Sequence, residues 1–382
     1  MITITDKTLC CGCTACVNIC PVQCIVMRRD REGFDYPVAN PDICIGCGKC
    51  EAVCPVLNPG EPVGPLSALA ARSDEYRTDS TSGGVFPILA EKVISEEGLV
   101  YGAVMNADMT VGHTDASDMA GVEKMRGSKY VQSDLYSVFE EIKNELEEGR
   151  KVLFSGTPCQ VAGLNAFLGK KYDGLTTVDF ACHGVPSPGL WEKYVEALGM
   201  TQEGRAEGVC FRDKSRSWMH YSFTYMLSSG RKISVPYMND PYMALFAQDM
   251  TLRPSCYDCV SKGGRSGSDL TLADLWSVAD SAPDFNDDKG VSLVLANTAK
   301  GKAMMDEIKG KPVDVSLATM NNGGFSAHMD IPGRRTEFFA GIHSAKDISA
   351  YMKSFVIRQS FGKVFCKTMR SVLSAMKRRI TG

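Results

Sequence analysis

Cys10-Cys-Gly-Cys-Thr-Ala-Cys-Val-Asn-Ile-Cys-Pro21 and, 34 residues on, Cys44-Ile-Gly-Cys-Gly-Lys-Cys-Glu-Ala-Val-Cys-Pro55 share one spacing, Cys-x2-Cys-x2-Cys-x3-Cys-Pro. Two-residue gaps let one loop present three thiolates to three corners of an iron–sulfur cube, and the fourth cysteine, followed by proline, crosses to the other cube. The spacing therefore assigns Cys10, Cys13, Cys16 and Cys54 to one 4Fe-4S cluster, and Cys44, Cys47, Cys50 and Cys20 to a second. Zinc needs four ligands, usually as two separated pairs, and explains neither the third cysteine nor the terminal Cys-Pro. The constant offset marks a duplicated half-domain, and the expectation is a bacterial-type double-cluster ferredoxin fold over residues 1–58. Gly12, Gly46 and Gly48 fall between ligands, where a chain wrapping a cube needs positive φ. Cys11 and Cys24 are surplus to the pattern and read as small buried hydrophobes.

The rest of the chain narrows the setting. Of 382 residues, 44% are hydrophobic and 23% charged, enough for one large core or several smaller ones. A net charge of −3 gives no global field that would attract nucleic acid. The start, MITITDKTLCCGC, has no basic segment leading into an apolar one, so it does not read as a secretory signal. No run of about 18 apolar residues suggests a membrane span. Ten of the sixteen cysteines crowd into the first 54 residues at ligand spacing, which points to a reducing, cytoplasmic setting rather than a disulfide framework.

A linker follows at 59–66, where Asn58-Pro-Gly-Glu-Pro-Val-Gly-Pro65 holds three prolines and two glycines. Beyond it the texture becomes mixed α/β. Helices are expected at 85–97, 134–149, 161–168, 190–199 and 300–309, and strands at 99–105, 151–156, 175–182 and 291–297. A more antiparallel stretch is expected over 205–236, and a Gly/Asn-rich loop at 321–324. Strand–helix–strand spacing implies a parallel sheet with right-handed crossovers. The last stretch, 344–382, reads as a basic amphipathic tail, with nine Lys/Arg against the single Asp347. It is a candidate for peripheral contact with an anionic surface. The reading adopted is a terminal helix packed on the body with a solvated basic face.

Four later cysteines form a second group. Cys159 opens a predicted helix after strand 151–156, and Cys182 ends strand 175–182, so both sit at carboxyl ends of parallel strands, where open α/β sheets bind ligands. Cys256 and Cys259 add a compact pair. Spacing leaves two readings open: a third 4Fe-4S cluster on all four, or a zinc ion or redox dithiol at 256/259 with two buried thiols elsewhere. Cys210 and Cys366 read as core thiols. Because ferredoxin clusters pass single electrons, an enzyme fused to them needs an acceptor that stores two, as a flavin does. Neither G-x-G-x-x-G nor a Walker motif is present. Thr81-Ser-Gly-Gly84 offers hydroxyls and amides at a helix start, and Gly127-Ser-Lys-Tyr130 adds a cation and a ring. Either could equally be an ordinary cap or turn. His183, beside Cys182, is a proton carrier or a satisfied polar residue.

From about Ser80 to Phe339 the chain resembles the beta-subunit family of coenzyme F-420 hydrogenases and dehydrogenases. The stretches that carry the resemblance are TSGGVF (81–86), RGSKYVQSD (126–134), KVLFSGTPCQVAGL (151–164), VDFACHGVPSP (178–188), GVCFRDK (208–214) and LRPSCYDCVSKGGRSGSDLTLADLW (252–276). The family's Gly-Asp-x-Trp-Gly is here Ala273-Asp274-Leu275-Trp276-Ser277, with both glycines replaced. The resemblance divides the body into an N-terminal part, 67–148, and a C-terminal part, 149–343. It implies a flavin-binding α/β body carrying FAD, with Ser82, Gly83, Gly84, Ser128, Lys129 and Tyr130 near the flavin. It further implies a third cluster on Cys159, Cys182, Cys256 and Cys259. The function so implied is an iron–sulfur flavoprotein oxidoreductase. It would pass electrons from the ferredoxin-type clusters through FAD to a two-electron acceptor, coenzyme F-420-like or another small-molecule redox substrate. A ferredoxin-like protein would be its donor or acceptor partner. The alternative is a non-catalytic electron-transfer subunit feeding a partner enzyme.

Overall fold

The computed structural model describes residues 1–199, 204–320 and 322–357. At the amino end, strands β1 (Ile25–Arg29) and β2 (Asp35–Ala39) form an antiparallel hairpin with Ile25 opposite Ala39. Asp30 closes its turn by accepting from the amides of Glu32 and Phe34. Two single-turn helices, Ala15–Asn18 and Lys49–Ala52, flank the hairpin. Each is entered through two left-handed residues: Gly12 (φ 73°) and Thr14 (φ 61°) in one half, Gly46 (φ 69°) and Gly48 (φ 72°) in the other. The glycines take the positive φ expected of them, and the backbone repeats with the same 34-residue period as the cysteines. Thr14 stands where the second half has Gly48, so the sequence alone hides that left-handed position.

The linker lies against the 263–265 loop, where a Cβ on Gly264 would stand 1.9 Å from the Val63 carbonyl. The body then contributes β3 (Ser67–Ala71), β4 (Leu99–Met105), β5 (Val111–Ala116), β6 (Val152–Ser155) and β7 (Leu175–Phe180). Next come β8 (Ala206–Asp213), β9 (Ser222–Leu227) and β10 (Lys232–Pro236), then β11 (Leu270–Asp274), β12 (Ser292–Ala296) and β13 (Gly310–Val313). β8, β9 and β10 pair as the expected antiparallel sheet. The others make one eight-stranded sheet in the order β13-β3-β12-β11-β7-β6-β4-β5.

Only the centre of that sheet is parallel, through the pairs β4–β6, β6–β7 and β7–β11. β12, β3 and β13 on one side and β5 on the other run antiparallel, so the expected parallel sheet becomes a mixed one. Helices Val85–Ser95, Met119–Met125 and Ala299–Asp306 cover one face. Helices Val138–Glu147 and Pro158–Leu168 cover the other, and the first ferredoxin loop packs on the second of them. A Cβ on Gly163 in that helix would lie 2.9 Å from Cys13 Cβ, so glycine is what admits the loop.

A separate aromatic core joins helix Pro188–Gly199 to β8 and β9 through fully buried Trp191, Tyr194, Phe223 and Tyr242. Helix Ile348–Phe355 docks on it through Met352 and Phe355, the body-packed arrangement expected for the start of the tail. Residues 358–382, with most of the basic charge, lie outside the described residues, as does Cys366. Cys210 is exposed on β8 rather than in the core, because the outer face of that strand points to solvent. Among the described residues no helix is long and apolar enough to cross a membrane.

Candidate electron-transfer site

Four of the N-terminal thiols, those that the spacing assigns to one cluster, share a cavity. The cavity is lined by Cys20, Cys44, Cys47 and Cys50, together with Met1, Cys24 and Ile25. Cys47 is exposed there, which makes this the outer set. Cys16, which the spacing assigns to the other, inner set, is buried; burial pushes its thiol up to about 12, and Cys10, Cys54 and Cys50 also act on it. Cys24 is more than the buried hydrophobe expected. Its sulfur stands 3.5 Å from that of Cys20, and its amide donates to Cys20 Sγ at 3.3 Å.

The four body cysteines come together at the carboxyl ends of the parallel strands. Cys159 follows β6 at the second position of helix Pro158–Leu168, whose start is fixed by a Thr157/Gln160 capping box. Cys182 follows β7, and Cys256 ends the short turn Pro254–Cys256. The Cys259 amide is held by the Ala327 carbonyl at 2.8 Å. Contact with Cys11, and then burial, raises the Cys159 thiol, and burial raises the other three; Cys182 also feels Cys256, Cys159 and Cys259, and Cys256 feels Cys159 and Cys259. Gly184 (φ 144°) keeps the strand end clear, since a Cβ there would sit 3.2 Å from Cys256 Cβ. Beside the set is Lys262, 3% exposed, which donates to the Ser326 carbonyl at 3.0 Å and draws the Cys182 thiol down. Among the described residues no three His, Cys, Asp or Glu converge on a point that would hold a single metal ion.

Cys11 joins the two regions. Its thiol is raised first by hydrogen-bonding contact with Cys13, and Cys159 contacts it from the other side. The surplus cysteine thus lies between the inner ferredoxin set and the body set. Sequence reasoning missed this because nothing local ties residue 11 to residue 159.

The flavin-side candidates are only partly available to a ligand. Ser82 Oγ donates to the Val291 carbonyl, and the Gly83 amide donates to Ser292 Oγ at 2.9 Å. Gly84 (φ 84°) leads into helix Val85–Ser95. The two motifs meet where the Ser128 amide donates to Thr81 Oγ1 at 2.9 Å. Lys129 Nζ donates to the carbonyls of Lys124, Met125 and Arg126 at the end of helix Met119–Met125, and burial pulls it down to about 7. Tyr130 packs on Phe246 (centroids 4.5 Å apart) and Phe211 (5.7 Å). His183 stands edge-on to Phe246 at 5.2 Å and brings Nε2 within 2.5 Å of Asp249 Oδ1, close enough for an ion pair but not aligned as a hydrogen bond.

A residue that the sequence reading did not single out completes this region. Arg212, on β8 and 7% exposed, pairs through one nitrogen with Asp274 at the end of β11. Its guanidinium lies over the rings of Tyr221 (4.5 Å) and Trp276 (5.1 Å), and its Nε and second terminal nitrogen have no protein partner. Trp218 stacks on Trp276 at 4.9 Å and donates to Asp274 Oδ1. The Asp274-x-Trp276 pair noted in the sequence is therefore the anchor of a buried cation with spare donors. The available signal was the Arg in GVCFRDK read together with that Asp.

The architecture and thiol sets define an iron–sulfur protein, a ferredoxin-type module seated on a mixed α/β body. Comparison with known families agrees. Residues 9–58 and 36–108 match 4Fe-4S dicluster domains, and residues 149–315 match the family described as the C terminus of the coenzyme F-420 hydrogenase/dehydrogenase beta subunit. Among solved structures, the chain is similar to one in the xenon-derivatized F-420-reducing [NiFe] hydrogenase complex from Methanosarcina barkeri. The identity is 18% and the TM-score 0.45, over 69% of this chain and 91% of that one. No curated protein matches the chain.

Proposed function

We propose that the protein is an iron–sulfur flavoprotein oxidoreductase that relays electrons through three 4Fe-4S clusters and FAD to a two-electron acceptor, a coenzyme F-420-like deazaflavin or another small molecule. In this reading Cys10, Cys13, Cys16 and Cys54 hold the inner cluster, and Cys44, Cys47, Cys50 and Cys20 the outer one. Cys159, Cys182, Cys256 and Cys259 hold the third. The observation that carries the reading is the continuity of thiols, from the outer cavity through Cys11 to the buried body set. The donor chemistry fits. Burial opposes proton loss at Cys16, Cys182, Cys256 and Cys259, and coordinated iron would supply the positive charge that reverses this.

The fit to FAD rests on the spare donors of Arg212 and the rings around them. When bound, FAD supplies the capacity to exchange electrons singly with clusters and in pairs with a substrate. Ser82, Gly83, Gly84, Ser128, Lys129 and Tyr130 would frame it: the Thr81–Ser128 bond holds the two loops together, and Lys129 pins the second loop to a helix end. Arg212 would meet negative charge with its unused N–H groups. Tyr130, Phe246 and His183 fill the space between this region and Cys182 with packed rings.

A second reading, an electron-transfer subunit without its own acceptor site, is favoured by Ile45, 64% exposed beside exposed Cys47, an apolar contact face at the outer cluster. The anaerobic protein alone, given reduced viologen and a small acceptor such as a deazaflavin or a quinone, should turn over. Silence until a partner protein is added would support the subunit reading. Absence of a flavin absorption band after anaerobic reconstitution would refute the flavoprotein.

A further inference from the structure

Arg253 is fully buried, at 0% exposure, and among the described residues no carboxylate pairs with it. The other buried arginines differ: Arg212 has Asp274, and Arg335 has Glu32. Arg253 instead donates from Nε to the Cys10 carbonyl (2.7 Å) and from its terminal nitrogens to Gln132 Oε1 (2.9 Å), the Asp35 carbonyl (2.9 Å) and Cys10 Sγ (3.6 Å). Its guanidinium lies over the Tyr36 ring at 4.2 Å. A buried guanidinium with only neutral acceptors is strongly disfavoured, so its environment must supply negative charge. The group in reach that can do so is the Cys10 sulfur, 3.6 Å from a terminal nitrogen, once it is a thiolate holding a cluster. Four thiolates around an iron–sulfur core leave an anion, and one-electron reduction makes it more negative.

We propose that Arg253 is the built-in counter-charge of the inner cluster, stabilising its reduced form and raising its reduction potential. The charge sits on the side of that cluster facing the body, because Arg253 lies three residues before Cys256 in the loop that builds the body thiol set. Its bonds to the Cys10 carbonyl and Gln132, with Gln132 in turn donating to the Cys11 carbonyl (3.1 Å), also fix the loop that holds Cys11 against Cys159. The potential of a cluster follows net charge, hydrogen bonds to its sulfurs and burial, and Arg253 supplies the first two at once. This inference rests on the ferredoxin clusters alone and stands even if the body thiols hold no iron.

The test is an anaerobic redox titration of the holoprotein followed by electron paramagnetic resonance, each cluster taking one electron from the titrant. Wild type, Arg253→Lys and Arg253→Gln are compared, and Cys47→Ser marks the outer cluster's signal. In Arg253→Gln the reduced-to-oxidised ratio of the inner cluster at fixed potential should fall tenfold or more, 59 mV per tenfold for one electron. The outer cluster should not move, and Arg253→Lys should fall between. An unmoved inner cluster, or equal shifts of both clusters, would overturn the proposal. Should the Gln variant fail to hold iron, wild type grown with guanidino-15N arginine decides: pulsed measurement on the reduced inner cluster should show 15N coupling, and none would overturn the contact.

Discussion

Gly12 and Gly46 occupy equivalent positions in the two halves of the ferredoxin module, with φ of 73° and 69°. Alanine at either must enter the left-handed region, at about 1–2 kcal/mol. Their surroundings differ. A Cβ on Gly46 meets nothing within 4 Å, whereas one on Gly12 would stand 2.6 Å from Gln132 Nε2 and 2.9 Å from a terminal nitrogen of Arg253. Gln132 and Arg253 would have to move, and the displaced bonds include a buried charged one, for about 1.5–3 kcal/mol more. Gly46→Ala should therefore destabilise the holoprotein by about 1–2 kcal/mol and Gly12→Ala by about 2.5–5 kcal/mol. Anaerobic urea unfolding, followed through the visible absorbance of the clusters, measures both. Equal losses, or a larger loss for Gly46→Ala, would refute the claim that the first loop is clamped to the body.

Cys11→Ala should leave iron content unchanged while slowing electron exchange between the ferredoxin clusters and the body, read by freeze-quench of the reduced signals; loss of iron would make Cys11 a ligand instead. Cys182→Ala should remove about four irons per chain and spare the ferredoxin signals, as iron analysis on the purified variant would show. Arg212→Met should weaken flavin retention, measured as released flavin on gel filtration, without changing iron content. His113, fully packed with Nε2 against the Ser155 carbonyl (3.0 Å), is lowered by burial from 6.5 to about 4. The folded state thus binds fewer protons than the unfolded one between those values, and stability is lost as pH falls through that window. From pH 7 to 5.5 the loss works out at about 1 kcal/mol. His113→Gln should remove that part of the pH dependence, and a parallel pH profile for the two proteins would contradict it.

The cysteine repeat was readable because ligand spacing is local: three sulfurs on one loop and a Cys-Pro exit encode the cube without reference to the rest of the chain. The strand at 99–105 was readable as an apolar run of strand length. β3 was missed because Ser67–Ala71 is alanine-rich, with weak intrinsic strand preference. It is a strand because β12 and β13 pair with it from more than 200 residues away. Cys11 was misread for a related reason, since its meaning comes from Cys159, which only the packing of Gly163 against Cys13 brings near. Arg253 and Arg212 look alike in sequence. What separates them is that one has Asp274 as partner and the other has thiols, a fact of tertiary structure alone. The Ser82–Gly84 loop was legible as a helix start, but not the engagement of its Gly83 amide by Ser292.

The central claim is that the thiols form a continuous set of three clusters leading to a flavin. The measurement that bears on it most directly is the iron, acid-labile sulfide and flavin content of the anaerobically purified chain. The account predicts about twelve irons, about twelve sulfides and one FAD. About eight irons and eight sulfides with bound zinc, or no flavin, would contradict it.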